Sequence, residues 1–345
     1  MTGDAFPSVS LHNVAATKAA DWADDGRQLH RIPESVATAV NVEARDRFCH
    51  PSGCELRFVP KGDEATVSVT LSAASETVVR PFWGGFQGAD TYELGPAPRT
   101  LEFSTPDSIE HLKSDITAMG AFDPRVCRLR FDAWAPVAVH DVSGRCRPPD
   151  ETELPTLRYL AYGTSITEGA SATGCHLTYV SQTARKLGAD AVNLGVAGSA
   201  FCEPAVADHI AHRDDWDVAT LSLSVNMANR GFTAEQFRER VTEFVNAVAA
   251  SVTDRPIACV TLFPYHADAL QDGDARRAED FRAAVRKTTE STPDNVILVE
   301  GANLMDATGL TTDLLHPGDA GMSSIAGGIA EKLAMRLSDQ ELQNH

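Results

Sequence analysis

Five short apolar runs in the second half of the chain constrain its fold more than any other feature. They are Leu157–Tyr162, Ala191–Val196, Val218–Ser224, Pro256–Phe263 and Val296–Glu300. Runs this short suit strands buried on both faces. Stretches of helical periodicity separate them. In the clearest, Thr233–Val252, the residues Phe237, Val241, Phe244, Val245 and Val248 share one face. Thr233 and Gln236 have the spacing of a capping box at its start. Asp274–Glu290 and Gly321–Leu337 read as further helices. Strands alternating with helices predict a parallel sheet covered on both faces. In such sheets ligands bind beyond the carboxyl ends of the strands.

The first half reads differently. Glu55–Val59, Ala65–Leu71, Thr77–Arg80, Arg99–Phe103, Val126–Phe131 and Val137–Val142 are β-rich runs parted by Gly, Pro, Asp and Ser clusters. Evenly spaced runs with weak helical periodicity predict an antiparallel sandwich. The polar, proline-rich stretch Arg145–Pro155 reads as a stiff linker. The chain of 345 residues is long enough for two cores. The expected division is therefore a β-sandwich domain over 1–150, a candidate substrate- or carbohydrate-binding domain, and an α/β domain over 151–345. The cluster Trp83-Gly84-Gly85-Phe86-Gln87-Gly88 reads as a loop with a buried aromatic, with a sugar-stacking platform as the alternative.

The net charge of −18 excludes two classes of partner, nucleic acid and anionic membrane surfaces, because binding either needs a cationic face. Only six of the 30 basic residues are Lys, and Asp outnumbers Glu among the acids. That balance suggests a halophilic protein, whose self-repulsion is screened by abundant salt. No run is long and apolar enough to span a membrane, and the N-terminus lacks a basic start followed by an apolar stretch, so a cytoplasmic location is expected. The seven cysteines include no C-x-x-C pair, as expected of buried thiols in a reducing compartment. Cys49-His50 with Cys54 is at most half a zinc pattern, and no metal is expected.

The candidate chemistry sits where the apolar runs end. Ser165 follows the first run in Gly163-Thr164-Ser165-Ile166-Thr167, where a strand-to-helix turn exposes a hydroxyl to amide donors. A serine there could equally be a helix N-cap. Asp313 and His316, three residues apart in Asp313-Leu314-Leu315-His316-Pro317, add what a serine nucleophile lacks. An imidazole takes the hydroxyl proton, and a carboxylate fixes its tautomer. Gly198, ending Asn193–Gly198, and Asn226 could supply oxyanion donors together with the Ser165 amide, or equally be a turn glycine and a capping or turn asparagine.

These four blocks resemble those of the SGNH (GDSL-like) hydrolase superfamily in order and separation, over residues 157–337. The resemblance implies a flavodoxin-like fold with a five-stranded sheet. It assigns Ser165 as nucleophile, Gly198 and Asn226 as oxyanion residues, His316 as base and Asp313 as its orienting acid. Two positions depart from the family pattern. Thr164 stands where Asp is common, and Met227 follows Asn226 where Asp is usual. Some relatives join an N-terminal, jelly-roll-like β-sandwich to this domain, among them carbohydrate esterases and an acyltransferase. The expectation is a serine esterase acting on acetyl or short acyl esters of a small molecule or carbohydrate, with no cofactor and an oligomeric state left open. An acyltransferase with the same triad and a non-catalytic glycan-binding protein are the alternatives.

Overall fold

A computed structural model describes residues 5–62 and 65–343. The chain forms two compact units. The first comprises residues up to Glu34, then Asp46–Thr156 and Gly188–Asp190. The second comprises Ser35–Arg45, Leu157–Leu187 and the chain from Ala191 onward.

The strands of the N-terminal half are β1 (Ser10–His12), β2 (Ala16–Ala20), β3 (Ala23–His30), β4 (Glu55–Pro60), β5 (Val67–Ala73), β6 (Thr77–Trp83), β7 (Phe86–Gln87), β8 (Tyr92–Leu94), β9 (Arg99–Phe103), β10 (Cys127–Phe131), β11 (Val137–Gly144) and β12 (Cys146–Arg147). One antiparallel sheet runs β1-β4-β10-β6-β7, with β12 on β4 and β8 on β6; the other runs β2-β3-β11-β5-β9. Alternation along β5 explains the layering. Val67, Val69 and Leu71 are fully buried while Ser68 and Thr70 reach solvent. Their buried faces share one core with Leu56, Phe58, Leu129 and Phe131 of the opposing sheet, so the unit is a sandwich. Trp83 joins this core, whereas Phe86, beyond the turn at Gly84, is exposed.

One charged cluster sits inside this apolar setting. The buried Glu55 carboxylate accepts from Arg128 Nη2 at 2.6 Å and from Arg57 Nε at 2.8 Å, and Arg130 Nε lies 3.2 Å away. Burial would raise the Glu55 carboxyl, but the three guanidinium groups outweigh it and hold it well below the usual carboxylate range. Glu55 therefore stabilises the fold fully above about pH 4.5, its ordinary value, and less as pH falls below it. Glu55→Gln leaves buried guanidinium charge uncompensated, and we expect a loss of about 3–5 kcal/mol. In calorimetric scans from pH 7 to pH 3 the gap between wild type and variant should narrow below about pH 4.5. Equal midpoints at pH 7 would contradict this account.

The second unit contains β13 (Arg158–Gly163), β14 (Asp190–Gly195, all but its first residue), β15 (Val218–Ser222), β16 (Ile257–Val260) and β17 (Val296–Val299) in the order β14-β13-β15-β16-β17. Recorded pairings within it are parallel, for example Tyr159 with Val218 and Ala219 with Ile257. The expected five-stranded, flavodoxin-like α/β arrangement is observed. Helices Pro204–Ala211, Ala234–Ser251 and Ala275–Thr289 pack on one another, and Tyr179–Leu187 packs on Asp319–Gln343, giving the two helical layers. The Thr233 hydroxyl accepts the Gln236 amide while the Gln236 side chain accepts the Thr233 amide, and the predicted face of this helix is buried throughout. Among the described residues no helix is long and apolar enough to cross a membrane.

Candidate active site

The site lies at the carboxyl ends of the central strands, where the chain leaves the sheet and backbone donors face outward. Ser165 opens the short helix Ser165–Glu168 directly after β13. The capping position belongs to Thr164, whose hydroxyl accepts the Ile166 amide at 3.4 Å. The Ser165 hydroxyl thus has no capping duty, and its partner is His316.

Ser165 Oγ donates to His316 Nε2 over 2.9 Å, and His316 Nδ1 donates to Asp313 Oδ2 over 2.6 Å. The ring protons are assigned from this chain of partners. Asp313 and His316 are brought together by a closed turn. The Thr311 amide donates to His316 O at 2.8 Å and the Leu314 amide to Thr311 O at 2.9 Å, while Leu314 takes a left-handed φ of 52°. The other carboxylate oxygen, Asp313 Oδ1, accepts the Leu315 and His316 amides and the Thr311 hydroxyl. Desolvation is the largest single effect on the Asp313 carboxyl and raises it. The hydrogen bonds from His316, Leu315 and Thr311 outweigh that and hold it well below the usual carboxylate range.

Gly198 and Asn226 come after β14 and β15, the two strands that flank β13. Gly198 takes φ 71° in the turn after β14, a left-handed conformation that disfavours a side chain. Among the described contacts, neither its amide nor that of Ser165 donates to a protein acceptor. Asn226 lies in the helix Val225–Asn229, and its Oδ1 accepts the Ala200 amide at 3.2 Å. With Oδ1 committed, the amide orientation is fixed and Nδ2 remains as the donor.

Two buried side chains hold the Gly198 turn against the Ser165 helix, and the sequence reading assigned neither a role. Glu168 Oε2 accepts the Ala197 amide at 2.6 Å, one residue before Gly198. Asn193 Nδ2 donates to Thr167 O at 2.7 Å while its Oδ1 accepts the Gly195 amide at 2.8 Å. A Cβ on Gly195 would meet Glu168 N at 2.2 Å, so the strand can approach this helix only as glycine. The spacing of Glu168, three residues beyond Ser165, was the available signal. The departures have local consequences: Thr164 supplies the cap, and Met227 is fully buried beside Asn226. On the β15–β16 side a small, mostly apolar cleft is lined by Thr164, Ile166, Leu223, Val225, Leu262 and Phe263. His266 follows this cleft in the chain, and His209 packs on Arg213 at 3.2 Å, its ring lowered to about 4 by burial and that guanidinium. Among the described residues, the hydrogen-bond partners of Ser165 Oγ and the His316 ring are each other and Asp313, and neither histidine is among them.

A parallel sheet in this order, with these blocks at its strand ends, is the architecture of an SGNH-type serine hydrolase. Residues 157–334, just over half of the sequence, match the GDSL-like lipase/acylhydrolase family, and the chain belongs to it. Solved structures share the fold across both halves. The salicylyl-acyltransferase SsfX3 from a tetracycline biosynthetic pathway is similar over 96% of each chain, at 17% identity and a TM-score of 0.76. A putative GDSL-like lipase from Bacteroides ovatus is similar over 96% of each chain, at 16% identity and a TM-score of 0.68. A family two carbohydrate esterase from Cellvibrio japonicus is similar over 97% of this chain and 96% of that one, at 13% identity and a TM-score of 0.63. No curated protein matches the sequence.

Proposed function

We propose that the protein is a serine esterase that cleaves acetyl or short acyl esters, carried on a carbohydrate or similar small molecule, through an acyl-serine intermediate. The relay from Ser165 Oγ through His316 to Asp313, at 2.9 and 2.6 Å, carries this reading. His316 Nε2 takes the Ser165 proton as Oγ attacks the ester carbonyl. The amides of Ser165 and Gly198 and Nδ2 of Asn226 hold the oxyanion, a contribution of about 10²–10³ in rate per donor. The alcohol leaves with the proton from His316, and water then attacks the acyl-serine with His316 again as base. Every group required comes from the polypeptide.

The small apolar cleft beside Thr164 and Val225 supports a short acyl group, since a long chain would need a larger apolar trough. The test is labelling by a fluorophosphonate, which traps only an activated serine. Modification of the wild-type protein on the peptide bearing Ser165 is the expected result. An unlabelled Ser165 would overturn the proposal.

A further inference from the structure

We propose that Arg230, held across Gly198 by Glu43, reads the alcohol half of the ester, and that this alcohol is neutral and bears adjacent hydroxyl groups. The inference rests on the serine esterase reading above and adds the substrate's second half to it.

Arg230 is tied to both oxyanion elements. Its amide donates to Asn226 O at 2.9 Å, which places it one helical turn after Asn226. Its guanidinium reaches the other element, since a Cβ on Gly198 would lie 3.4 Å from Arg230 Nη2. Nη2 in turn donates to Glu43 Oε2 at 3.0 Å. Glu43 comes from Ser35–Arg45, the early segment that belongs to the second unit. Asn41 pins that segment beside the same turn. Its amide and Nδ2 donate to Glu203 Oε1 at 2.8 and 3.1 Å, and Nδ2 also to Ser199 O at 3.3 Å.

Stability does not account for this arrangement. Both side chains of the pair are about half exposed, at 51% and 53%, and such pairs contribute roughly 0–1 kcal/mol. The described contacts engage only Nη2 and Oε2. Nε and Nη1 of Arg230 remain as donors and Oε1 of Glu43 as an acceptor. A vicinal diol offers the matching acceptor and donor. A substrate carboxylate would instead have to displace Glu43 or sit beside it, in a chain of net charge −18. The two flanks also differ in chemistry. The apolar cleft is lined from the chain after β15 and β16, whereas the Arg230 guanidinium reaches the turn after β14, the strand on the far flank of β13. A short acyl group suits the first, and a hydroxylated alcohol the second.

The test compares kcat/KM for 6-O-acetylglucose and p-nitrophenyl acetate in wild type, Arg230→Met and Glu43→Gln, with 6-O-acetylglucose replaced by acetylated glucuronate in a third arm. We expect Arg230→Met to lower the preference for acetylglucose over p-nitrophenyl acetate by about 10- to 100-fold, mainly through KM, as for a lost charged hydrogen bond. Glu43→Gln should lower it in the same direction by less, and serves as the reporter should Arg230→Met misfold. An unchanged preference in a folded variant would overturn the inference, because it would make Arg230 a support for the turn alone. Wild-type preference for the glucuronate ester would overturn the neutral class. Wild-type turnover of p-nitrophenyl acetate without turnover of acetylglucose would overturn the inference and leave the serine reading standing. Failure of fluorophosphonate to label wild-type Ser165 would overturn both.

Discussion

Ser165→Ala is expected to lower turnover of p-nitrophenyl acetate by about four to six orders of magnitude while the protein stays folded. The nucleophilic oxygen is lost outright, and what remains is binding and the oxyanion donors, which cannot replace a covalent step. Folding should tolerate the change because of what its neighbour does. Thr164 caps the helix, so removing the Ser165 hydroxyl costs no cap. The hydroxyl's described partner is the His316 ring, which gains access to water when the hydroxyl is gone. A stability change within about 1 kcal/mol follows. Steady-state turnover and circular dichroism on the same sample check both halves. Retained turnover would remove Ser165 from the mechanism.

Asp313→Asn should cost about 10³–10⁴ in kcat with little change in KM. The argument is one of tautomers. Asp313 Oδ2 accepts from Nδ1 of His316, which leaves Nε2 bare to take the Ser165 proton. An asparagine can keep Oδ1 on the amides of Leu315 and His316, but its NH₂ then faces Nδ1. The ring must carry its proton on Nε2 instead, where it can no longer act as base. Because the Asp313 carboxyl is held well below the usual range, it is ionised throughout the working pH window and should contribute no step to the pH–rate profile between about pH 5 and 9. The sign for stability is consistent: the turn gains from the carboxylate above about pH 3.8, its ordinary value, and loses that gain below it. A fall of less than tenfold in kcat would show that the carboxylate does not set the tautomer.

The parallel half was legible because its inner strands are buried on both faces, and such strands announce themselves as apolar runs, as does the partly exposed edge strand β17. All five lie within a few residues of their expected positions. In the sandwich, the six expected runs were found, whereas β1, β2, β3 and the short β7, β8 and β12 were not, and β12, paired with β4, lies inside the stretch expected to be a linker. β3 reads Ala-Asp-Asp-Gly-Arg-Gln-Leu-His, which no propensity favours. Its backbone ladders to β2 and β11 supply the order, and Gly26 leaves room for the His140 ring across the pair. The helix Tyr179–Leu187 was also missed, since its buried face of Tyr179, Val180, Thr183 and Ala184 includes a threonine. In the candidate site, the blocks of Ser165, Gly198 and Asn226 could be put in register because each comes soon after a strand end, whereas the turn that carries Asp313 and His316 lies well beyond β17 and was found by its own spacing. The supporting residues could not. Glu168 and Asn193 act through hydrogen bonds that no periodicity records, and Glu43 reaches Arg230 from far upstream.

That upstream reach has a consequence for how such chains can diverge. Residues 35–45 are encoded among sandwich strands, yet they fold with the hydrolase half. A recombination event that exchanged the N-terminal half between paralogues just after Thr156, where the first unit gives way to the second, would bring a foreign version of this segment to the Gly198 turn. Inheritance of the two halves is therefore not independent, and new substrate preferences could arise by shuffling alone, with every residue after the crossover unchanged.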